Sequence, residues 1–231
     1  MNKIFTFRPY LKTVVWGGEK IKDFKAIDTD MHNIGESWEL SGVPGHESVV
    51  DTGEDAGLSI TGLIDKYGAA LVGEDVYSRF GNSFPLLIKI IDARDNLSVQ
   101  VHPDDELAQR RHGSMGKTEM WYVIDADYDA DIISGLSTEI TPDEYRRRVA
   151  DNTITDVLAS HKSHPGDVFF LPAGRIHAIG AGNLIAEIQQ TSDITYRVYD
   201  YDRRGLDGKP RQLHVEEAVD AIDYKVYDNY V

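Results

Sequence analysis

The chain has 231 residues, enough to bury a sizeable core in one large domain or two small ones. Its 41% hydrophobic and 27% charged residues are ordinary for a soluble globular protein, and no apolar run approaches the roughly 18 residues of a membrane span. With 39 acidic against 24 basic side chains the net charge is −15, a field that repels nucleic acid and anionic membranes. There is no cysteine, so any metal must be held by nitrogen and oxygen. The N-terminal stretch lacks an apolar signal-peptide core, which makes the cytoplasm the expected compartment.

Taken in chain order, the first clear element is a predicted helix over residues 61–72, with Leu63, Ile64, Tyr67 and Leu71 on one face. Predicted strands follow at Leu86–Ile91 and Leu97–Val101, then a short acid-first helix over residues 104–111. Two more strands, Met120–Ile124 and Ala130–Ser134, precede a helix opened by Thr141 as cap and Pro142 in the first turn, running toward residue 159. Its Arg146, Arg147 and Arg148 lie among acidic neighbours and read as a solvated face. Strands at Val168–Leu171, Leu184–Gln190 and Ile194–Tyr199 and a short helix over residues 215–222 complete the chain. Short alternating strands punctuated by Gly, Pro, Asn and Asp predict an all-β barrel with helical insertions, not βαβ units.

Four stretches carry chemistry. In Ser98-Val99-Gln100-Val101-His102, strand alternation turns a hydroxyl, an amide and an imidazole to one face. By itself this reads equally as the wet face of an edge strand. In Lys117-Thr118-Glu119, the lysine and the carboxylate share a face, as a surface ion pair would also require. In Gly166-Asp167-Val168-Phe169-Phe170-Leu171-Pro172-Ala173-Gly174-Arg175-Ile176-His177, a rigid turn delivers an imidazole to the start of the next strand. This spacing matches the second cupin motif, except that its closing asparagine position holds Ala181, with Asn183 nearby. His102, Glu119 and His177 with Gln100 form an N2O2 donor set suited to one zinc, iron, manganese or cobalt ion with a position open to substrate. The fourth stretch, from Glu187 to Arg203, alternates Glu187, Gln189, Thr191, Asp193, Thr195 and Arg197 onto one predicted polar row.

Several pieces occur in an order that resembles the type I mannose-6-phosphate isomerases, in particular the compact bacterial branch. They are Trp16-Gly17-Gly18, Gly35-Glu36-Ser37-Trp38-Glu39, Phe84-Pro85-Leu86-Leu87-Ile88-Lys89, Gln100-Val101-His102-Pro103-Asp104, Gly116-Lys117-Thr118-Glu119-Met120-Trp121-Tyr122 and Thr195-Tyr196-Arg197-Val198-Tyr199-Asp200-Tyr201-Asp202-Arg203. The likeness runs from about Phe7 to His214. It implies a cupin (jelly-roll) β-barrel holding one zinc on Gln100, His102, Glu119 and His177. It also implies catalytic roles for Arg197, Lys117, Glu187 and Asp193, and substrate contacts from Ser98, Lys89 and Lys117. The implied reaction is the metal-dependent interconversion of mannose 6-phosphate and fructose 6-phosphate through an enediol. The expected partner is a phosphorylated hexose, with no nucleic acid and no membrane, and the protein is expected to be a monomer or weak homodimer. Residues 1–231 are expected to form a single catalytic cupin domain with N-terminal strands and helical insertions at about 61–72, 104–111 and 141–159, without the second barrel of compact relatives. Two departures concern histidines: Ser41-Gly42-Val43-Pro44 replaces a His-Pro context, leaving His46 nearest, and Gly116 precedes the active-site lysine.

Overall fold

A computed structural model describes residues 3–227 and 229. In chain order the elements are β1 (Tyr10–Gly18), α1 (Lys20–Lys25), β2 (Ile34–Ser41), α2 (Ile60–Tyr67), α3 (Ala69–Val72), α4 (Glu74–Phe80), β3 (Leu86–Asp92) and β4 (Val99–Val101). Then come α5 (Asp105–His112), β5 (Glu119–Ala126), β6 (Asp131–Leu136), α6 (Pro142–Ala150), a 3-10 turn (Ile154–Val157), β7 (Leu158–Lys162) and β8 (Val168–Leu171). The chain continues through β9 (His177–Ile179), β10 (Asn183–Gln190), β11 (Tyr196–Tyr199) and α7 (Val215–Val219).

Two antiparallel sheets carry the fold, in the orders β1-β2-β3-β10-β5-β8 and β11-β4-β9-β6-β7. The expectation of an all-β protein with helical insertions is met. The expected cupin jelly roll takes the form of two facing antiparallel sheets, with no ladder joining them among the described residues. The core between them is built by alternation: Trp16, Ile91, Trp121, Phe169 and Ile185 from the first sheet meet Ile132 and Ile179 from the second. The outer side of the second sheet is covered by α5, α6 and α7 through Leu107, Tyr145, Val149 and Ala218. The helices α2 and α3 close a smaller cluster around Leu63 and Ile64. No helix among the described residues is long and apolar enough to cross a membrane.

Local rules explain where several helices begin. Asp104 caps α5 by accepting from the Leu107 N–H at 2.8 Å, and Thr141 caps α6 by accepting from the Glu144 N–H at 3.2 Å. Other boundaries differ from expectation. The helix expected over 61–72 is broken at Gly68, whose positive φ of 51° turns the chain between α2 and α3. The helix expected to reach residue 159 ends at Ala150; a left-handed Asn152 follows, and Leu158–Lys162 is a strand that pairs with β6. The last helix stops at Val219 rather than residue 222. The helices α1 and α4 were not among the expected elements, and β1 and β2 give bounds to the N-terminal strands. Gly18 shows why β1 ends where it does. A Cβ there would lie 2.5 Å from the carboxylate of Asp92, which accepts from the Lys20 N–H at 2.6 Å and so starts α1.

Candidate active site

Three strand ends bring the donor set together. Gln100 in β4 pairs in register with His177 at the start of β9; His102 follows β4, and Glu119 opens β5. His102 Nε2 is 3.2 Å from Glu119 Oε1, and His177 Nε2 is 3.6 Å from Glu119 Oε2. Ligand atoms from these three buried residues all lie within 4.8 Å of one another. Each imidazole donates its Nδ1–H to a backbone carbonyl, His102 to Ile194 at 2.9 Å and His177 to Arg175 at 2.8 Å. That choice of tautomer turns both Nε2 lone pairs toward the carboxylate. Gln100 completes the group, its amide 3.3 Å from His177 Nε2; a half-turn of the amide presents its oxygen instead.

The electrostatics suit a cation. Burial, reinforced by the Lys117 cation, pushes His102 down to about 3, and burial lowers His177 as well. Both imidazoles are therefore neutral at physiological pH. Burial opposes ionisation of Glu119, but Lys117 and the two histidines outweigh it and hold the carboxyl well below its usual range. His102 Nε2 and both Glu119 oxygens are buried without a well-formed hydrogen bond, which is costly for a polar group unless something else fills the gap. Neutral imidazoles, a carboxylate and an amide around such a gap fit a divalent ion.

Beside this group lies a cavity of about 390 Å³. It is lined by every remaining residue expected at the site: Lys89, Ser98, Lys117, Glu187, Asp193 and Arg197, with Gln100. Lys117 joins the two regions, its Nζ being 3.2 Å from Glu119 Oε1. The expected polar row is corrected, however. β10 ends at Gln190, the chain leaves the sheet, and Tyr196 begins β11 in the opposite sheet. Glu187 and Arg197 thus face one another's cavity from different sheets, and Asp193 stands on the connecting loop, exposed.

Lys89 is less free than its type suggests. Its Nζ is 2.8 Å from Glu187 Oε2, and Glu36 also favours its charged form, so the balance raises its pKa despite full burial. Glu187 accepts a further bond from Trp121 Nε1 at 2.9 Å. Arg197 is the opposite case: Nε donates to Ser98 Oγ at 3.3 Å and Nη1 to the Gln212 carbonyl at 3.0 Å, with no carboxylate partner among the described residues. Asp200, three residues on and just past the end of β11, is taken by Arg203 at 2.7 Å and by Arg211 at 2.6 Å. His46 is not part of the cavity; it is exposed and packs on Tyr10 and Trp38, with ring centres 5.1 and 5.8 Å away.

The lining residues not anticipated as site residues include Lys12, Glu36, Trp38, Arg211 and His214. Glu36 and Trp38 belong to the Gly35–Glu39 piece, whose alternation turns both inward; Arg211 and His214 lie in a loop with no periodicity to reveal them. Glu36 accepts from Trp38 Nε1 at 2.6 Å and pairs with Lys12 at 3.2 Å. Although burial opposes it, Lys89 and Lys12 lower its pKa to about 2. An unfolded glutamate binds its proton near 4.3, so the folded chain gains stability from Glu36 above that pH and loses the gain as pH falls toward 2. Glu36→Gln is expected to cost about 2–3 kcal/mol at pH 7, with the difference from wild type shrinking toward zero near pH 2. Denaturant unfolding of both proteins at pH 7, 4 and 3 checks this; a cost that does not change with pH would refute it.

Fold and site together define a cupin-type protein with an internal His–Glu–His donor set opening on a polar cavity. Residues 4–129 match the family model of the phosphomannose isomerase type I catalytic domain. The chain is 40% identical over 218 residues to the mannose-6-phosphate isomerase ManA of Bacillus subtilis, covering 94% of this chain and 67% of that protein. It is 41% identical over 212 residues to the mannose-6-phosphate isomerase of Streptococcus mutans, covering 90% and 64%. The crystal structure of the mannose 6-phosphate isomerase from Bacillus subtilis superposes with a TM-score of 0.88 at 35% identity, over 98% of this chain and 71% of that one. The chain belongs to the type I phosphomannose isomerase family, and it spans about two thirds of the length of these relatives.

Proposed function

We propose that this chain interconverts mannose 6-phosphate and fructose 6-phosphate, with the two-sheet unit as a single catalytic domain of a cytoplasmic enzyme. The observation that carries the reading is the buried donor set with unsatisfied lone pairs, opening beside a cavity that holds an arginine with no counter-ion among the described residues. His102, Glu119, His177 and the Gln100 oxygen would hold one divalent ion, zinc by family resemblance. When bound, it supplies a Lewis acid that polarises a sugar oxygen.

The chain's own groups supply the rest. Aldose–ketose isomerisation moves a proton between C2 and C1 and builds negative charge on the intervening oxygens. Of the two carboxylates expected to act, Glu187 is engaged by Lys89 and Trp121 and fixes the lysine. Asp193 is exposed on the cavity wall and outside every ion pair of the described residues, which leaves it free to take and return the proton. Lys117 keeps Glu119 ionised and presents its ammonium to the cavity. Arg197 faces the developing oxyanion. Ser98 and Lys89 contribute a donor and a cation for the substrate's phosphate, and Arg211, shared with Asp200, adds a second guanidinium to the same wall.

A panel of aldoses on metal-replete protein tests the reading. Mannose 6-phosphate is expected to exceed mannose by roughly 30- to 100-fold in kcat/KM, as charge-assisted contacts to a dianion require. Equal turnover of the two sugars would remove the phosphate subsite, and no turnover of any aldose would leave only a sugar-binding protein.

A further inference from the structure

Behind the donor set lies a buried amide that none of the proposed steps uses. Gln189 in β10 points to the inner side of the first sheet, opposite Glu119 and Leu87, and is 1% exposed. Its Nε2 donates to two carbonyls, that of Ser192 just beyond the strand at 2.7 Å and that of Gln190 at the strand's last residue at 2.9 Å. Its Oε1 is buried with no hydrogen-bond partner among the described residues. An apolar side chain would avoid that unpaired oxygen, so the group is worth burying only for its two N–H donors.

Those donors act on the loop that leads from the first sheet to the second. Ser192 Oγ accepts from the Ile194 N–H at 3.4 Å, and the Ile194 carbonyl accepts from His102 Nδ1 at 2.9 Å. The far side of the loop is tied by Thr191, whose Oγ1 donates to the Phe84 carbonyl at 2.8 Å. The Ile194 carbonyl is what fixes the tautomer and ring angle of His102. Ile194 is not part of a strand, so its carbonyl has no ladder to hold it in place. The path from Gln189 to His102 runs through three residues of one loop.

We propose that Gln189 is a positioning residue for the metal centre: its carboxamide clamps the Ser192–Ile194 turn so that the Ile194 carbonyl holds His102 Nε2 toward Glu119. The inference rests on the metal-binding reading above. Gln189→Glu keeps the shape but sets a carboxylate against two carbonyl oxygens, and Gln189→Met removes both donors without adding charge. Ile188→Val on the opposite face of the same strand serves as a control for simple loss of packing.

The measurements are the Zn²⁺ dissociation constant by chelator competition, the visible spectrum of the Co²⁺-loaded protein, and the melting temperature of the metal-free form. Gln189→Glu is expected to weaken Zn²⁺ binding by about 10- to 100-fold and to change the Co²⁺ bands. Gln189→Met should do the same to a smaller degree, and it carries the test if the glutamate variant does not fold. Ile188→Val should lower the melting temperature while leaving affinity and spectrum as in wild type. Variants of Gln189 that melt earlier but bind Zn²⁺ with wild-type affinity and spectrum would overturn the proposal alone. A wild-type protein that takes up neither Zn²⁺ nor Co²⁺ would overturn both the proposal and the reading beneath it.

Discussion

Arg197→Ala is expected to lower kcat by about 10²- to 10³-fold while KM changes only a few-fold. The guanidinium is held by Ser98 Oγ and the Gln212 carbonyl, both neutral, and burial followed by the nearby Arg211 pushes its pKa down. Its charge is thus not spent on a protein carboxylate. An anionic oxygen formed along the reaction path gains from that charge, whereas the neutral hydroxyl or carbonyl of the ground state gains little, so the loss falls on kcat. Removing the side chain breaks no ion pair among the described residues, and the melting temperature should stay within a few degrees. Arg197→Lys keeps the charge without the planar donor fork and should recover only part of the rate. A metal-replete, well-folded Arg197→Ala protein with near wild-type kcat would show that Arg197 is not catalytic.

Glu119→Gln is expected to reduce metal affinity by at least roughly 10³-fold and to abolish isomerisation at ordinary metal concentrations. Glu119 offers one oxygen toward His102 and the other toward His177, and it carries the negative charge of the donor set. It is also the counter-ion of Lys117, which is 5% exposed with its Nζ 3.2 Å away. An amide leaves that ammonium buried without a negative partner, at a cost of about 3 kcal/mol in the metal-free protein. His102→Ala provides the contrast, losing metal while keeping the Lys117–Glu119 pair. Metal content by elemental analysis and metal-free melting curves for both variants decide the matter. Unchanged metal content in Glu119→Gln would refute the assignment of the donor set.

Much of the donor set was legible because strands and turns obey short-range rules. Alternation alone places Ser98, Gln100 and His102 on one face, and a Pro172–Gly174 turn delivers His177 at a strand start. The polar row from Glu187 to Arg197 failed for a physical reason. Alternation carries no information about where a strand stops pairing; Gln190 ends β10 because Gln189 and Thr191 bind the chain into a turn. The helix toward residue 159 failed similarly, since the pull on Leu158–Lys162 comes from pairing with β6. The state of Lys89 was beyond reach too, because its two carboxylates come from β2 and β10, far apart in the chain.

The sequence by itself determined the chemistry on offer: neutral imidazoles, one carboxylate and an amide at spacings that strands convert into a shared face, within a chain of net charge −15 that must concentrate its cations locally. It also determined the class of fold, through two-residue alternation and turn residues, which are properties of neighbouring positions. The tertiary structure decided which groups meet. It brought Glu36 and Trp38 from β2, and Arg211 and His214 from a loop near the C-terminal end, onto one cavity wall. It paired Lys89 with Glu187 and gave Arg197 no counter-ion among the described residues. Charge pairing and desolvation depend on distances of a few ångström between residues as far apart in the chain as Lys12 and His214, and local sequence pattern does not encode those distances.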